Sequence, residues 1–535
     1  MNSDGPRDSA AQPPAFSAAP RPVRWWPAVV ILVGAVLAAG WFHFFAEESH
    51  QHRNIHTTEV FLIVLLLLLL WCALFSRLRW RIRLLTLGAV AGVVLALAAS
   101  VRIRGVTGDL LPIFEWRWQR DQSAELPVAL AQGALAPRGT NAAPAERLTG
   151  SWPQFLGPNR DATLAGPRLA RDWVAHPPQE LWRRPVGAGW SGFAVAGSVA
   201  VTQEQRGPDE TVVAYDALSG RPLWAHADAA RYFTTIAGEG PRATPAIDGD
   251  RVFTAGATGI LNCLDLQTGR LIWSKEILRE NGGSLPGWGW SVSPLVRGDL
   301  VVVSAGGANE RSLVAYHKQS GQFAWGAGHD RVGYSSPVVF ALGGAPQILM
   351  FNASSIAGHD AGSGRWLWEY PWRSSNPNVA VPVQLPGDRV LVSSGYGVGS
   401  EALQVAKTPG GGWQAKRVWK STRLKAKFTN VVFHDGFIYG LDDGILVCLD
   451  AATGEQKWKD GRYGHGQVIL VDKLLLLTAE NGEVALLEPG PRERRELGRF
   501  TAFRTKTWNP PALAGEWLFL RTDLEAACFR LPVEK

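Results

Sequence analysis

The sequence predicts an all-β, eight-bladed β-propeller preceded by three transmembrane α-helices, and three observations predict it. An eleven-residue phrase, Ala214-Tyr215-Asp216-Ala217-Leu218-Ser219-Gly220-Arg221-Pro222-Leu223-Trp224, is written in five clear copies across the last two-thirds of the chain. Its terminal aromatic residue, once weaker copies are included, recurs at eight nearly evenly spaced positions. The first hundred residues instead carry three long apolar runs. A period of roughly 40–50 residues is that of propeller blades.

The other clear copies are Cys263 to Trp273, Ala315 to Trp325, Gly358 to Trp368 and Cys448 to Trp458. Alternating apolar residues such as Val212 and Ala214, or Leu261 and Cys263, predict a strand. The Asp-x-x-[Ser/Thr]-Gly segment turns it, with glycine supplying a positive φ. The tryptophan falls on the returning strand, where its ring wedges against the neighbouring sheet and buries on the order of 150–250 Å². The anchors are Trp182, Trp224, Trp273, Trp325, Trp368, Trp419, Trp458 and a degenerate Phe500, separated by 42, 49, 52, 43, 51, 39 and 42 residues. Trp182 precedes any complete sheet and the strands near Trp517 and Ala526 follow the last anchor, so the two chain ends are expected to share one blade. Such closure removes the open edge of the ring.

A second repeat runs in step with the first. Before each expected inner hairpin stands a polar or aromatic residue, often with Ser-Pro or Thr-Pro: Trp190, Arg242, Trp290, Tyr334, Asn378, Phe428 to Asn430, Gly466-Gln467 and Trp508. Tight-turn pairs such as Asp248-Gly249, Pro386-Gly387 and Asp435-Gly436 follow several of them, as hairpins require.

The amino-terminal part divides into a tail (residues 1–24), a three-span anchor (25–101) and a linker (102–150) before the propeller (151–535). The apolar runs Trp25 to Phe45, Val60 to Phe75 and Leu84 to Ala99 approach the roughly 20 residues that cross a bilayer. A cleaved signal peptide fits poorly, since the first run is long, lies behind a polar tail and is followed by two more. Arg7, Arg21 and Arg24 precede the first span and Arg77, Arg79, Arg81 and Arg83 follow the second, while the loop between them carries Glu47, Glu48, Glu59 and only Arg53. This asymmetry predicts a cytoplasmic amino terminus and, after an odd number of spans, a propeller in the periplasm of a bacterial inner-membrane protein. Leu126 to Pro144 is rich in alanine and proline and predicts a spacer. Gly105 to Trp118, with Phe114, Trp116 and Trp118, predicts an interfacial anchor, with packing against the propeller as the alternative. His43, His50, His52 and His56 cluster at the end of the first span and are expected in a solvated loop.

The net charge of +7 does not indicate nucleic-acid binding. Residues 1–150 hold 14 Arg, no Lys and 10 acidic residues, whereas the remaining 385 hold 40 basic and 37 acidic, so the propeller is close to neutral. Cys263 and Cys448 share one register in separate repeats and are expected to be small buried hydrophobes rather than a disulfide. No metal-binding cysteine spacing, P-loop, HExxH or GxSxG motif occurs.

The phrase Ala-x-Asp-x-x-[Ser/Thr]-Gly-x-x-x-Trp resembles the repeat of the quinoprotein alcohol dehydrogenase-like propellers, the pyrroloquinoline quinone (PQQ) repeat, over about residues 151–535. The resemblance implies eight blades. It covers both PQQ-dependent dehydrogenases and proteins that bind no PQQ, such as the barrel-assembly lipoprotein BamB. The stretch from Ser151 to Arg160, Ser-Trp-Pro-Gln-Phe-Leu-Gly-Pro-Asn-Arg, is similar to the opening of a group of bacterial PQQ-like repeat proteins. Soluble dehydrogenases of the family carry an adjacent-cysteine disulfide and an acidic calcium site, and neither is evident here. Membrane glucose dehydrogenases lack that disulfide and join an anchor to the propeller. The inner-strand residues nevertheless offer a cofactor funnel: Arg242, Lys427 and Lys506 for carboxylates, Trp290, Tyr334 and Trp508 for stacking, and Asn378 and Asn430 for hydrogen bonds. That set suits PQQ with calcium; a solvated polar channel is the alternative. The expected function is a membrane-anchored interaction or assembly platform for other envelope proteins, without catalysis, and the alternative is a membrane-bound PQQ-dependent dehydrogenase of alcohols or sugars.

Overall fold

The computed structural model describes residues 22–46, 50–119, 126, 148–372, 374 and 376–534. Arg7, Arg21, Glu47, Glu48 and, beyond Leu126, the spacer to Pro144 lie outside the described residues. The chain divides into two compact units, residues 1–102 and 103–535.

The first unit holds helices α1 (Trp26–Phe44), α2 (His50–Leu70), a π-turn from Trp71 to Phe75 that extends α2, and α3 (Trp80–Ser100). All three are long and apolar enough to cross a membrane. His50, His52 and His56 are not in a loop, as expected from sequence, but on the first turns of α2. No glycine or proline interrupts residues 50–60, and the Thr57 and Thr58 hydroxyls are satisfied within the helix by the Arg53 and Asn54 carbonyls at 2.7 and 2.8 Å. The Trp71 indole donates to the Arg24 carbonyl at 2.9 Å, which ties the start of α1 to the end of α2.

In the second unit eight antiparallel sheets stand around a channel. Their inner strands are, in order from blade 1 to blade 8, Ala194–Ala196, Ala246–Asp248, Leu295–Arg297, Val338–Leu342, Val383–Leu385, Val432–His434, Gln467–Val471 and Ala512–Ala514. The expected closure is present: the outermost strand of blade 8 is Gln179–Pro185, from the start of the domain, paired with Glu525–Arg530 from its end. Buried Arg521 reinforces this seam by donating to Thr202 Oγ1, Gln203 O and Gly187 O, each at 2.8 Å.

The repeat phrase is legible as packing. Each aspartate of the phrase accepts from main-chain N–H groups of its own turn; Asp265 Oδ1, for example, takes Thr268 N–H at 2.8 Å and Thr268 O–H at 2.7 Å. The glycine that ends the turn has positive φ, +71° at Gly269. It also faces the tryptophan of the preceding blade: a Cβ on Gly269 would lie 2.4 Å from the Trp224 ring, and one on Gly364 would lie 2.2 Å from Trp325. The indole N–H then donates across the blade boundary, Trp182 to Ala217 O, Trp224 to Leu266 O, Trp273 to Lys318 O and Trp419 to Ala451 O, at 2.9–3.1 Å. Trp368 departs from the pattern and donates within its own blade to Gln347 Oε1 at 2.7 Å.

Across the strand pair each anchor faces a small residue: Ala214, Cys263, Ala315, Gly358, Ala402, Cys448 and Cys528 oppose Trp224, Trp273, Trp325, Trp368, Trp419, Trp458 and Trp182. The cysteines are thus buried small residues under indoles, as their shared register implies.

The strand order defines two faces. Turns after the inner strands and the Asp-x-x-Thr-Gly turns lie on one, the repeat-turn face. The connections into each next inner strand lie on the other, the funnel face.

Candidate functional site

The funnel mouth is assembled from the last residues before the inner strands. Trp190 and Trp508, which lead into blades 1 and 8, bring their rings to 4.9 Å, and Phe428 packs on Trp508 at 4.7 Å. The Lys506 ammonium sits over both indoles, 3.8 Å from the Trp508 centroid and 4.6 Å from Trp190, a cation–π sandwich. Burial pushes Lys506 down to about 8. Next to Trp190, whose indole shares the Ala237 carbonyl with it, Arg242 lies 4.7 Å over the Tyr232 ring, and burial pushes it down to about 10. Its guanidinium donates to the carbonyls of Ala237 and Gly238 at 3.1 and 2.9 Å and to that of Gly240.

The remaining expected residues divide sharply. Tyr334 is half-buried, accepts the Trp288 N–H at 3.1 Å and packs on the Trp288 ring at 5.5 Å. Lys427 is buried, 3.6 Å from Asp443 and 5.5 Å from the Tyr396 ring centroid. Asn378 and Asn430 are buried staples: Asn378 Nδ2 donates to Asn352 O and Ala353 O at 2.9 and 3.0 Å, and Asn430 Oδ1 accepts the Val381 N–H at 3.2 Å. Trp290 corrects the sequence reading. It is 0% exposed and donates its indole N–H to Ser304 O at 3.0 Å, so it has no face to offer a ligand. Its near neighbour Trp288 is the ring that turns toward the mouth.

Sequence reasoning missed the group that organises the mouth, Glu480. Its carboxylate accepts from Gly108 N–H at 2.6 Å, the Trp508 indole at 2.9 Å and His465 N–H at 3.0 Å. Gly108 belongs to the turn of a hairpin, Val101–Val106 paired with Pro112–Trp116, that docks into the mouth. The Val106 carbonyl accepts from Lys506 Nζ at 2.8 Å, Asp109 Oδ1 lies 3.1 Å from His465 Nε2, and Arg104 pairs with Asp523 at 2.6 Å. A Cβ on Gly108 would fall 2.0 Å from the His465 ring, so only glycine allows this approach. The expected alternative of packing against the propeller therefore holds for the turn, while Phe114, Trp116 and Trp118 point away and are exposed.

The channel is also covered in part from the repeat-turn side. The segment after Ser151 pairs Trp152 with Val195 of blade 1, accepts Ile247 N–H on Pro153 O at 2.8 Å, and lays Thr163–Leu164 parallel to the inner strand of blade 7. Arg160, buried and pushed down to about 9 by that burial, donates to Pro294 O at 2.8 Å and Ser293 O at 3.0 Å of blade 3.

In this arrangement the residues do not fit PQQ with calcium. The cations that would pair with its carboxylates are bonded to main chain or buried, and Trp290 is out of reach. Among the described residues no three His, Cys, Asp or Glu side chains converge as metal ligands.

Glu210 gives the site a pH dependence. Both its oxygens accept Ala257 N–H, at 3.0 and 3.1 Å, and burial pushes its carboxyl up to about 7 from 4.5. The folded state holds this proton where the unfolded state has released it, so stability falls as pH rises from 4.5 through about 7. Melting curves at the two ends of that window should show wild type losing more on alkalinisation than Glu210→Gln, in which this step is absent.

A sequence-family model described as the outer membrane protein assembly factor BamB matches residues 208–460. That match spans 253 of the chain's 535 residues, and over them the propeller is similar to the PQQ-repeat proteins. Quinohemoprotein alcohol dehydrogenase from Comamonas testosteroni superposes with a TM-score of 0.53 at 12% identity, covering 74% of this chain and 82% of its own. Quinohemoprotein alcohol dehydrogenase ADHIIG from Pseudomonas putida HK5 gives 0.51 at 12% identity, covering 72% and 81%. BamB from Moraxella catarrhalis gives 0.49 at 16%, covering 67% and 99%. At these identities the PQQ-like propellers share this chain's fold. No curated protein matches the chain.

Proposed function

We propose that the protein is a membrane-anchored, PQQ-like propeller that works as an interaction or assembly platform for other envelope proteins, held in a bacterial inner membrane with its propeller in the periplasm. The arginines between α2 and α3 support that orientation, and the BamB family match supports an assembly role. The observation that carries the reading lies on the rim. Two residues before the anchor tryptophan, the outermost strands of three consecutive blades expose Leu271, Phe323 and Trp366, and Val418 continues the arc on the next blade. These strands are hydrogen-bonded on one side only. An apolar side chain beside an open strand edge is what a partner's extended segment uses for strand addition.

Photo-crosslinking residues placed at Phe323 and Trp366 of the full-length protein in cells should give adducts with another polypeptide. Absence of adducts at both positions, with the protein present at normal level, would sink the platform.

A further inference from the structure

The apolar residues exposed on the funnel face are not scattered around the ring. The hairpin presents Phe114, Trp116 and Trp118 at 64, 52 and 67% exposure, the two tryptophans stacked at 4.9 Å. Beside it, the loop after blade 1 exposes Phe233 and Ile236, and the loop after blade 2 exposes Leu285. These loops are held as one surface. Tyr232 O–H donates to Gly287 O at 2.6 Å, and a Cβ on Gly105 of the hairpin would lie 3.7 Å from Thr235 O.

We propose that this face is a lipid-contacting surface, its occupant the headgroup region of a bilayer containing anionic lipid. Three observations select lipid over a protein partner. The hairpin's first strand begins at Val101, the residue after the last span ends at Ser100, so no free chain separates hairpin from membrane. Stacked tryptophans are the side chains that settle at the headgroup level. The surrounding connections expose Arg331, Arg423 and Arg504, the charge that anionic headgroups attract.

The hairpin then has two sides. Its turn caps the funnel through Glu480, Lys506 and His465, and its aromatic end enters the interface. The propeller's mouth faces lipid, while the rim and repeat-turn face stay in water. This inference is independent of the platform reading, since a dehydrogenase or a scaffold would sit on the membrane in the same way.

All four native cysteines are buried, so a single introduced cysteine accepts an environment-sensitive fluorophore selectively. Trp116→Cys, Ile236→Cys and, as the control on the opposite face, the exposed Gln267→Cys are each labelled in the full-length protein. The labelled proteins are reconstituted in vesicles of phosphatidylethanolamine and phosphatidylglycerol carrying a spin label high on the acyl chain. The expected result is a blue-shifted emission at 116 and 236 with at least about two-fold stronger quenching by the spin-labelled lipid than at 267. Labels at 116 and 236 that are as open to iodide as at 267, or shielded from iodide without quenching by lipid, would overturn the proposal, the latter assigning the surface to protein.

Discussion

Trp224→Ala will lower the stability of the propeller by about 3–5 kcal/mol, the range for removing a large buried ring. The ring is 2% exposed, lies over the glycine of the next blade and donates to Leu266 O at 2.9 Å, so its loss opens a cavity and orphans a buried carbonyl at a blade boundary. Trp224→Phe separates these contributions. It keeps most of the apolar area and loses the hydrogen bond, and the expected cost falls to about 1–2 kcal/mol. Denaturant unfolding followed by circular dichroism measures both. A cost near zero for Trp224→Phe would mean that the indole merely fills space and that the blade-to-blade hydrogen bond contributes little.

The second large effect is at Glu480. Glu480→Gln keeps the shape but replaces a carboxylate that accepts three N–H groups with an amide having one acceptor oxygen. Losing charge-assisted bonds of this kind costs about 2–4 kcal/mol at the site. The Gly108 amide, which donates at 2.6 Å, reports the change. Its hydrogen exchange in the full-length protein is expected to accelerate by roughly 30- to 700-fold, at tenfold per 1.4 kcal/mol. The tryptophan-anchored ring should remain folded, because none of the anchor indoles that bond across blade boundaries uses Glu480. Unchanged exchange at Gly108 would show that the hairpin is held by something other than this carboxylate.

The ring was legible because its information is local and repeated. One phrase contains the turn-capping aspartate, the glycine that needs both a positive φ and a bare Cα, and the tryptophan that needs that glycine from the next copy. Blade count and closure follow from counting such phrases. Two of the cysteines were readable from register, Cys263 and Cys448, which each oppose an anchor indole; Cys528 does the same outside the clear copies.

The mouth was less legible because it is made by contacts that no repeat encodes. Asp109 meets His465 across 356 residues, and Gly108 meets Glu480 across 372. Glu480 stands in a turn between second and third strands, a class of position that the periodic inner-strand motif does not flag. Trp288 and Trp290 are indistinguishable in Gly-Trp-Gly-Trp. The φ of +78° at Gly289 and the carbonyl of Ser304 decide which ring enters the core. Lys506 and Arg242 lie at the mouth, where they donate to the chain's own carbonyls.

The central claim is that this propeller acts through its surfaces, its channel being occupied on one side by the segment after Ser151 and on the other by the hairpin turn. The most direct test is calorimetric titration of the full-length, detergent-solubilised protein with PQQ and calcium. The account predicts no saturable heat up to high micromolar PQQ. Saturable binding that Arg242→Ala or Lys506→Ala abolishes would contradict it and would make the funnel a cofactor site.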